Sequence, residues 1–215
     1  MQTGWQSFFS GESVEELLLI FITRPDFYEG ETALVNRLFE QGMQRLHLRK
    51  PKANKQEMAE WIEQIALPFR HRIVLHDHHS LAKEYQLGGI HLNSRNPEVP
   101  IWVNDDCTEY PFSISRSCHS IEELIKYKSQ CDYLFLSPIF DSISKEGYGA
   151  AFSPDVLSSV REKGLLKDNV IALGGISLAN LSQVKAYGFA GAAVLGALWQ
   201  AEDVEETLKA FLCNL

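Results

Sequence analysis

Short apolar runs alternate with amphipathic stretches along nearly the whole chain. Leu17 to Ile22 is an unbroken apolar run that continues through Thr23 to a stop at Arg24-Pro25, the pattern of a buried strand. Glu31 to Gln41 places Val35, Leu38 and Phe39 on one helical face and stops at Gly42. Arg45 to Arg49 predicts a second strand. Asn54 to Ala66 predicts a helix, with Met58, Trp61, Ile62 and Ile65 at helical spacing behind an asparagine cap and Pro68 just beyond. Arg72 to His76, Ser80 to Gln86 and Gly89 to Leu92 predict strand, helix and strand. Residues 93–111 hold Pro97, Pro100, Pro111 and Asn104-Asp105-Asp106 and predict loop, with at most a turn of helix or a brief strand at Ile101–Val103.

The alternation then resumes. Phe112 to Ser117 predicts a fifth strand, and Ser120 with Glu123 forms a capping box that opens a helix to about Lys128. Tyr133 to Ser137 is a sixth strand, and Ser153-Pro154 opens a helix to about Lys163. Val170 to Leu173 is a seventh strand, followed by a helix capped by Ser177, running through Ala186 and stopped by Gly188. Ala192 to Leu195 is an eighth, and Glu202 to Leu212 is a last helix with Val204, Leu208 and Phe211 inward. Eight strands, nearly all followed by a helix, imply an α/β protein with a parallel sheet: a compact (β/α)8 barrel, single domain, over residues 14–215. The alternative, a doubly wound open sheet, usually carries a glycine-rich turn after the first strand, where this chain has Thr23-Arg24-Pro25. Residues 1–13 are expected to be a peripheral N-terminal extension.

Composition narrows the chemistry. Lys and Arg number 20 against 28 Asp and Glu, a formal charge of −8, which argues against a general nucleic-acid surface but leaves room for a local anion pocket. Cys107, Cys118, Cys131 and Cys213 form no CxxC, so reduced thiols in a cytoplasmic protein are expected. Leu17 to Ile22 is too short to span a membrane, and residues 1–13 lack the basic start of a secretory signal.

In a (β/α)8 barrel the active site lies at the carboxyl ends of the strands. Those ends carry Thr23-Arg24, Arg49-Lys50, His76-Asp77, Asn93, Ser117-Cys118-His119, Ser137, Gly174-Gly175 and Gly196-Ala197. The glycine turns after strands 7 and 8 suit a phosphate site, since glycine lets backbone N–H groups approach the anion and a nearby helix N-terminus adds a positive dipole. In the loop after strand 6, Ser142, Ser144 and Lys145 are followed by Gly147 and Gly149, as expected of a segment that closes over an anionic ligand. The run His76 to His79 does not suit one metal ion, because adjacent residues of an extended segment point in alternating directions. His78 and His79 are expected to be solvated, and His47, His91, Trp61 and Trp199 to be packed. Arg49, Lys50 and Lys145 are expected to converge at the mouth, leaving the acidity to the outer helices.

Read together, LLLIFITRP, LHLRK, GGIHL, SRSCH, SPIFDSISK and ALGGI followed by GAAVLGAL resemble the thiamine phosphate synthase/TenI family, from about Leu17 to Trp199. The resemblance implies the same barrel. Synthases of this family join a pyrimidine pyrophosphate to a thiazole phosphate and release pyrophosphate, with magnesium and basic residues stabilising the leaving group. By position, Arg49 matches the arginine on pyrophosphate, Ser117 the serine on the pyrimidine, Ser142 and Ser144 two loop hydroxyls, and Lys145 the loop lysine. Gly175, Gly196 and Ala197 match the amides on the thiazole phosphate. His76 falls in the place of a ligand-contacting asparagine, and Asp77 keeps one magnesium carboxylate.

Two departures lie at the metal end. The second metal aspartate falls on Asn96, and the family lysine after Arg49 falls on Pro51, where Lys50 or Lys52 would have to substitute. This pattern resembles the TenI branch, which shifts a double bond in a thiazole carboxylate phosphate and needs a proton shuttle but no metal. His119 matches that shuttle, imidazole being suited to proton transfer near neutral pH, and Arg116 also looks TenI-like. A TenI-like tautomerase without cofactor is therefore preferred to a synthase using Mg2+. A non-catalytic partner that binds a thiazole phosphate is the third reading. The expected partners are small molecules, a thiazole phosphate and on the synthase reading a pyrimidine pyrophosphate, not nucleic acid or membrane; a homo-oligomer is left open.

Overall fold

The computed structural model describes residues 17–104, 112–141 and 149–215. Eight strands form a closed parallel barrel in chain order. They are β1 (Leu18–Ile22), β2 (Arg45–Leu48), β3 (Ile73–Leu75), β4 (Gly89–Leu92), β5 (Ser113–Cys118), β6 (Tyr133–Leu136), β7 (Val170–Leu173) and β8 (Gly191–Val194). Closure is made by β8 against β1, with Leu18 opposite Gly191 and Phe21 opposite Val194. The helices are α1 (Glu31–Glu40), α2 (Lys55–Glu63), α3 (Leu67–Arg70), α4 (Ser80–Glu84), α5 (Ile121–Tyr127), α6 (Pro154–Glu162), α7 (Leu181–Ala186), α8 (Gly196–Trp199) and α9 (Val204–Leu212). A 3-10 turn covers Ile101–Asn104, inside the stretch expected to be mostly loop.

Local chemistry sets the element ends. Asn54 Oδ1 accepts from the Glu57 amide at 3.0 Å while Glu57 Oε2 accepts from the Asn54 amide at 2.8 Å, a reciprocal cap on α2. Ser153 caps α6 and Asp203 caps α9 through the same kind of bond to the third helical amide. Three helices differ from expectation. The helix expected over Asn54–Ala66 ends at Glu63, and a separate turn, α3, begins around Pro68, which lacks the N–H needed to continue a longer helix. The Ser177 helix opens as a 3-10 turn, because Asn180 folds back to accept from the Ser177 amide. The Ser120 capping box is half made: Ser120 accepts from the Glu123 amide, but Glu123 accepts from the His119 amide instead.

Two apolar layers hold the molecule. The outer faces of the strands pack under the helices through residues such as Leu19, Phe21, Leu46, Leu75, Leu134 and Phe211. The inner layer is divided. Leu18, Ile20, Ile22, Phe135, Ile171 and Ala193 fill one side of the barrel. The side made by β2 to β5 is polar, with Arg45, His47, His91, Ser113 and Ser115 all buried. Trp61 and Trp199 are buried as expected, their N–H groups donating to Glu31 and to the Ile22 carbonyl.

Lys50 does not reach the mouth. Its ammonium bonds Glu31 at 2.6 Å and the Asp26 carbonyl at 2.9 Å, with side-chain exposures of 1% and 2% for the Lys50–Glu31 pair. Lys50 therefore ties the segment after β1 to the segment after β2, and it cannot substitute for the cation missing at Pro51. Lys52 is exposed. Removing one partner of a buried pair strands the other charge. Lys50→Met should lower the unfolding free energy by about 3–5 kcal/mol in urea titrations, and adding Glu31→Gln should recover most of the loss. A single variant as stable as the parent would refute this account of the pair.

Candidate active site at the carboxyl end of the barrel

Strand alternation sets what faces the interior. Arg45, His47 and Arg49 alternate along β2 and its end, and His91 lies on β4. Ser113, Ser115 and Ser117 alternate along β5, and Tyr133, Phe135 and Ser137 along β6 and its end. His76 follows β3. These residues build a buried hydrogen-bond network below the mouth. His47 joins Tyr133 through Nε2 to Oη at 2.7 Å and His76 through Nδ1 to Nε2 at 3.0 Å. His91 joins Ser115 and Ser117 through its two ring nitrogens, both at 2.8 Å. Lower down, Arg45 Nη1 donates to Ser113 Oγ at 2.8 Å.

His47, His76 and His91 place ring nitrogens within 4.8 Å of one another, close enough to suggest a metal site. Ring orientation argues otherwise. His76 and His91 stack face to face, centroids 4.2 Å apart and planes 25° apart. Imidazole lone pairs lie in the ring plane, so those of two stacked rings run side by side rather than converging on one ion. The cluster is a network of neutral rings. Burial holds His47 and His76 well below the usual imidazole range and takes His91 down to about 3, with nearby cations adding to each shift.

Above this network the mouth carries the expected side chains in unequal states. Asp77 is sealed. Arg95 Nε reaches Oδ1 at 2.9 Å and Nη2 reaches Oδ2 at 2.8 Å, a two-bond clasp, and Asn96 Nδ2 adds a bond to Oδ1 at 2.9 Å. Asn96 thus turns an N–H, not an oxygen, toward the carboxylate that would share a magnesium ion. The donor set does not fit a hard divalent cation, which needs converging oxygens. Sequence reasoning missed Arg95; its position beside Asn96, at the end of β4, was the available signal. Arg49 is half-buried, and among the described residues none accepts a hydrogen bond from its guanidinium. Burial and the neighbouring Arg95 charge lower its pKa, with Asp77 working in the opposite sense.

His119 stands on the rim, exposed, with Nδ1 3.2 Å from the Ser137 carbonyl oxygen and 3.3 Å from Ser137 Oγ. A carbonyl only accepts, so this bond places the proton on Nδ1 and leaves Nε2 as an acceptor. Ser117 is half-buried and oriented by His91. Arg116 lies on the outer face of β5, over the Tyr127 ring at 4.2 Å and bonded to the Pro97 carbonyl, so it braces the loop after β4 and stays outside the mouth. His79 is buried and His78 bonds the Ala53 carbonyl at 2.8 Å, so neither is the solvated residue expected. Cys118 is buried, which pushes its thiol up to about 12 and makes it unreactive at neutral pH.

The turn after β7 is left-handed at Gly174 and Gly175, φ 97° and 64°. The start of the loop after β6 lies directly on it: Ile139 donates to the Leu173 carbonyl and Phe140 to the Gly174 carbonyl. A Cβ on Gly174 would sit 2.8 Å from Pro138, and one on Gly175 would sit 2.4 Å from the Asp141 carbonyl oxygen. Glycine is required here by close packing as well as by φ. Gly196 and Ala197 form the first turn of α8, a helix of one turn, so any phosphate held there meets individual N–H groups and little helix dipole. Ser142, Ser144 and Lys145 lie outside the described residues.

The fold and this mouth define a (β/α)8 barrel with its polar groups gathered at the strand carboxyl ends. The thiamine monophosphate synthase model matches residues 19–198, and the chain belongs to that family of thiamine-biosynthesis enzymes. It is similar to thiamine-phosphate synthases of Methanospirillum hungatei, 28% identical with 79% of this chain and 82% of the relative covered, and of Syntrophomonas wolfei, 28% identical with 87% and 90% covered. A crystal structure of thiamine phosphate pyrophosphorylase from Bacteroides thetaiotaomicron superposes with a TM-score of 0.80 at 35% identity, covering 92% of this chain and 97% of that one. Among the described residues no helix is long and apolar enough to cross a membrane.

The histidine network carries a pH signature. Its rings have pKa values below the unfolded value near 6.5, so the unfolded chain binds the extra protons as pH falls. Stability should therefore be full above pH 6.5 and decline below it, by up to about 1.4 kcal/mol per pH unit for each ring. Urea titrations between pH 7 and pH 5 check this, and His91→Asn should remove about one ring's share of the slope. A flat profile would contradict burial of neutral rings.

Proposed function

We propose that this chain is a TenI-like, metal-independent tautomerase acting on a thiazole carboxylate phosphate. The observation that carries the reading is the state of Asp77, whose two oxygens are taken by Arg95 and Asn96. The reaction moves one proton and shifts one double bond into the ring, with no change in oxidation state. His119 suits the shuttle: its Nδ1–H is held by Ser137, and Nε2 can take a proton from one carbon of the substrate and return it to another. The amides of Gly175, Gly196 and Ala197 are assigned to the phosphate, Arg49 to the carboxylate, and Ser117, oriented by His91, to the ring. His76 helps form the floor of the mouth. Ser142, Ser144 and Lys145 are assigned to a loop that closes over the phosphate end and excludes water.

The printed names of the relatives favour a second reading, a synthase that joins a pyrimidine pyrophosphate to a thiazole phosphate. Arg49, at the place of the pyrophosphate arginine, and Ser117 are both at the mouth and compatible with it. On that reading Mg2+ is required and Asp77 is its ligand, which would oblige Arg95 to let go.

The two readings give opposite results in one pair of assays. The thiazole carboxylate phosphate should aromatise at the same rate in EDTA and in Mg2+, and His119→Asn should cut kcat by about 10²–10⁴ while KM changes little. Thiamine phosphate made from both synthase substrates at enzymatic rates, and lost in EDTA, would establish the synthase instead. Binding of a thiazole phosphate with neither turnover would identify a non-catalytic partner.

A further inference from the structure

We propose that Arg95 is a built-in replacement for a divalent cation, so that the mouth over β2 to β4 takes a polyanionic group without metal. The inference shares the Asp77 geometry with the tautomerase reading, but it concerns binding rather than proton transfer, so either can fail alone.

The argument begins with charge. Asp77 alone would repel an incoming anion and lower the potential around Arg49. Arg95 cancels that carboxylate, and Arg49 then leaves the trio with one net positive charge. A divalent ion on Asp77 would give the same sign of surplus by another route. Arg95 does it with a group that is covalently attached and cannot dissociate.

Geometry supports the exchange. A guanidinium has five N–H donors, and the clasp on Asp77 uses two of them, on one edge. Among the described residues no acceptor meets Nη1. The Arg95 side chain is 43% exposed, against 12% for Asp77, so its outer edge faces solvent while its inner edge is fixed. The backbone is fixed as well. Asn93 and Asn96 exchange backbone bonds at 3.1 and 3.2 Å, Asn93 Oδ1 accepts from the Arg95 amide at 2.9 Å, and Asn93 Nδ2 and Asn96 Nδ2 both donate to the His76 carbonyl. The turn therefore holds the guanidinium at one place on the rim, where its charge acts on Arg49. Two guanidinium groups in this arrangement suit a group with several oxyanions, such as a diphosphate, or a carboxylate beside a phosphate.

The probe is inorganic pyrophosphate, titrated calorimetrically into the whole protein. In EDTA the wild-type protein should bind it, and Arg95→Gln should weaken binding by at least about tenfold. Arg95→Lys, which keeps the charge but not the planar fork, should bind more tightly than Arg95→Gln and more weakly than wild type. The double variant Arg95→Gln/Asn96→Asp should bind poorly in EDTA and recover when Mg2+ is added, whereas Arg95→Gln alone should not recover. The inference is overturned if the wild-type protein binds pyrophosphate only with Mg2+ or not at all. Equal affinity of a folded Arg95→Gln in EDTA overturns it too, as does a folded Arg95→Lys that binds as tightly as wild type or no better than Arg95→Gln. Should Arg95→Gln fail to fold, the Arg95→Lys result and the metal response of the wild-type protein decide.

Discussion

The interior of this barrel has to be dry on one side and polar on the other, and the imidazoles of its polar side have to stay neutral beside the buried guanidinium of Arg45. Leu18, Ile20, Ile22, Ile171 and Ala193 meet the first demand by simple packing. The second is harder. Three imidazoles, the Tyr133 hydroxyl and Ser113, Ser115 and Ser117 share a space in which an isolated ion would cost several kcal/mol. They are accommodated because the rings are neutral and both nitrogens of His47 and of His91 are paired, with His76, Tyr133 or serine hydroxyls. Phe135 packs against His47 and His91, each at 4.8 Å between centroids, and closes the cluster on its apolar side. The orientation of Ser117 at the mouth follows from this arrangement through His91, so it rests on the protonation state of buried rings.

Charge is placed only where the surroundings can hold it. Lys50 and Glu31 are buried together outside the barrel and act as a structural tie. Arg95 and Asp77 are paired at the rim, where one side of the guanidinium meets solvent. The two pairs have the same composition, a cation on a carboxylate, but differ in access. The first is a clamp between two segments; the second leaves donors over for another partner.

The fold was legible in the sequence because its periodicities are clean. A strand such as Leu18–Ile22 is apolar throughout, and helices such as α2 and α6 announce their starts with Asn54 and Ser153. The rim residues were legible as positions, since strand ends in such a barrel fall where the apolar runs stop. Their states were not. That Lys50 turns away from the mouth depends on Glu31, far from it in sequence, and that Asp77 is occupied depends on Arg95, which lies on the next strand's loop. The interior cluster was hidden for the same reason: His47, His91 and Tyr133 sit on three different strands, and only barrel closure brings them into one hydrogen-bonded group.

The contact between the start of the β6 loop and the β7 turn has a consequence for how such a barrel can be rebuilt. Pro138 to Asp141 lie so close over Gly174 and Gly175 that neither segment has room to accept a side chain independently of the other. The two therefore behave as one transplantable module. A designer who moved the glycine turn into another barrel without its covering segment would lose the Ile139 and Phe140 bonds that fix it. One who exchanged the covering segment alone would have to find another whose backbone keeps the same clearance. Variation in this family's barrels at these two loops should accordingly be paired, with changes on one side matched by changes on the other.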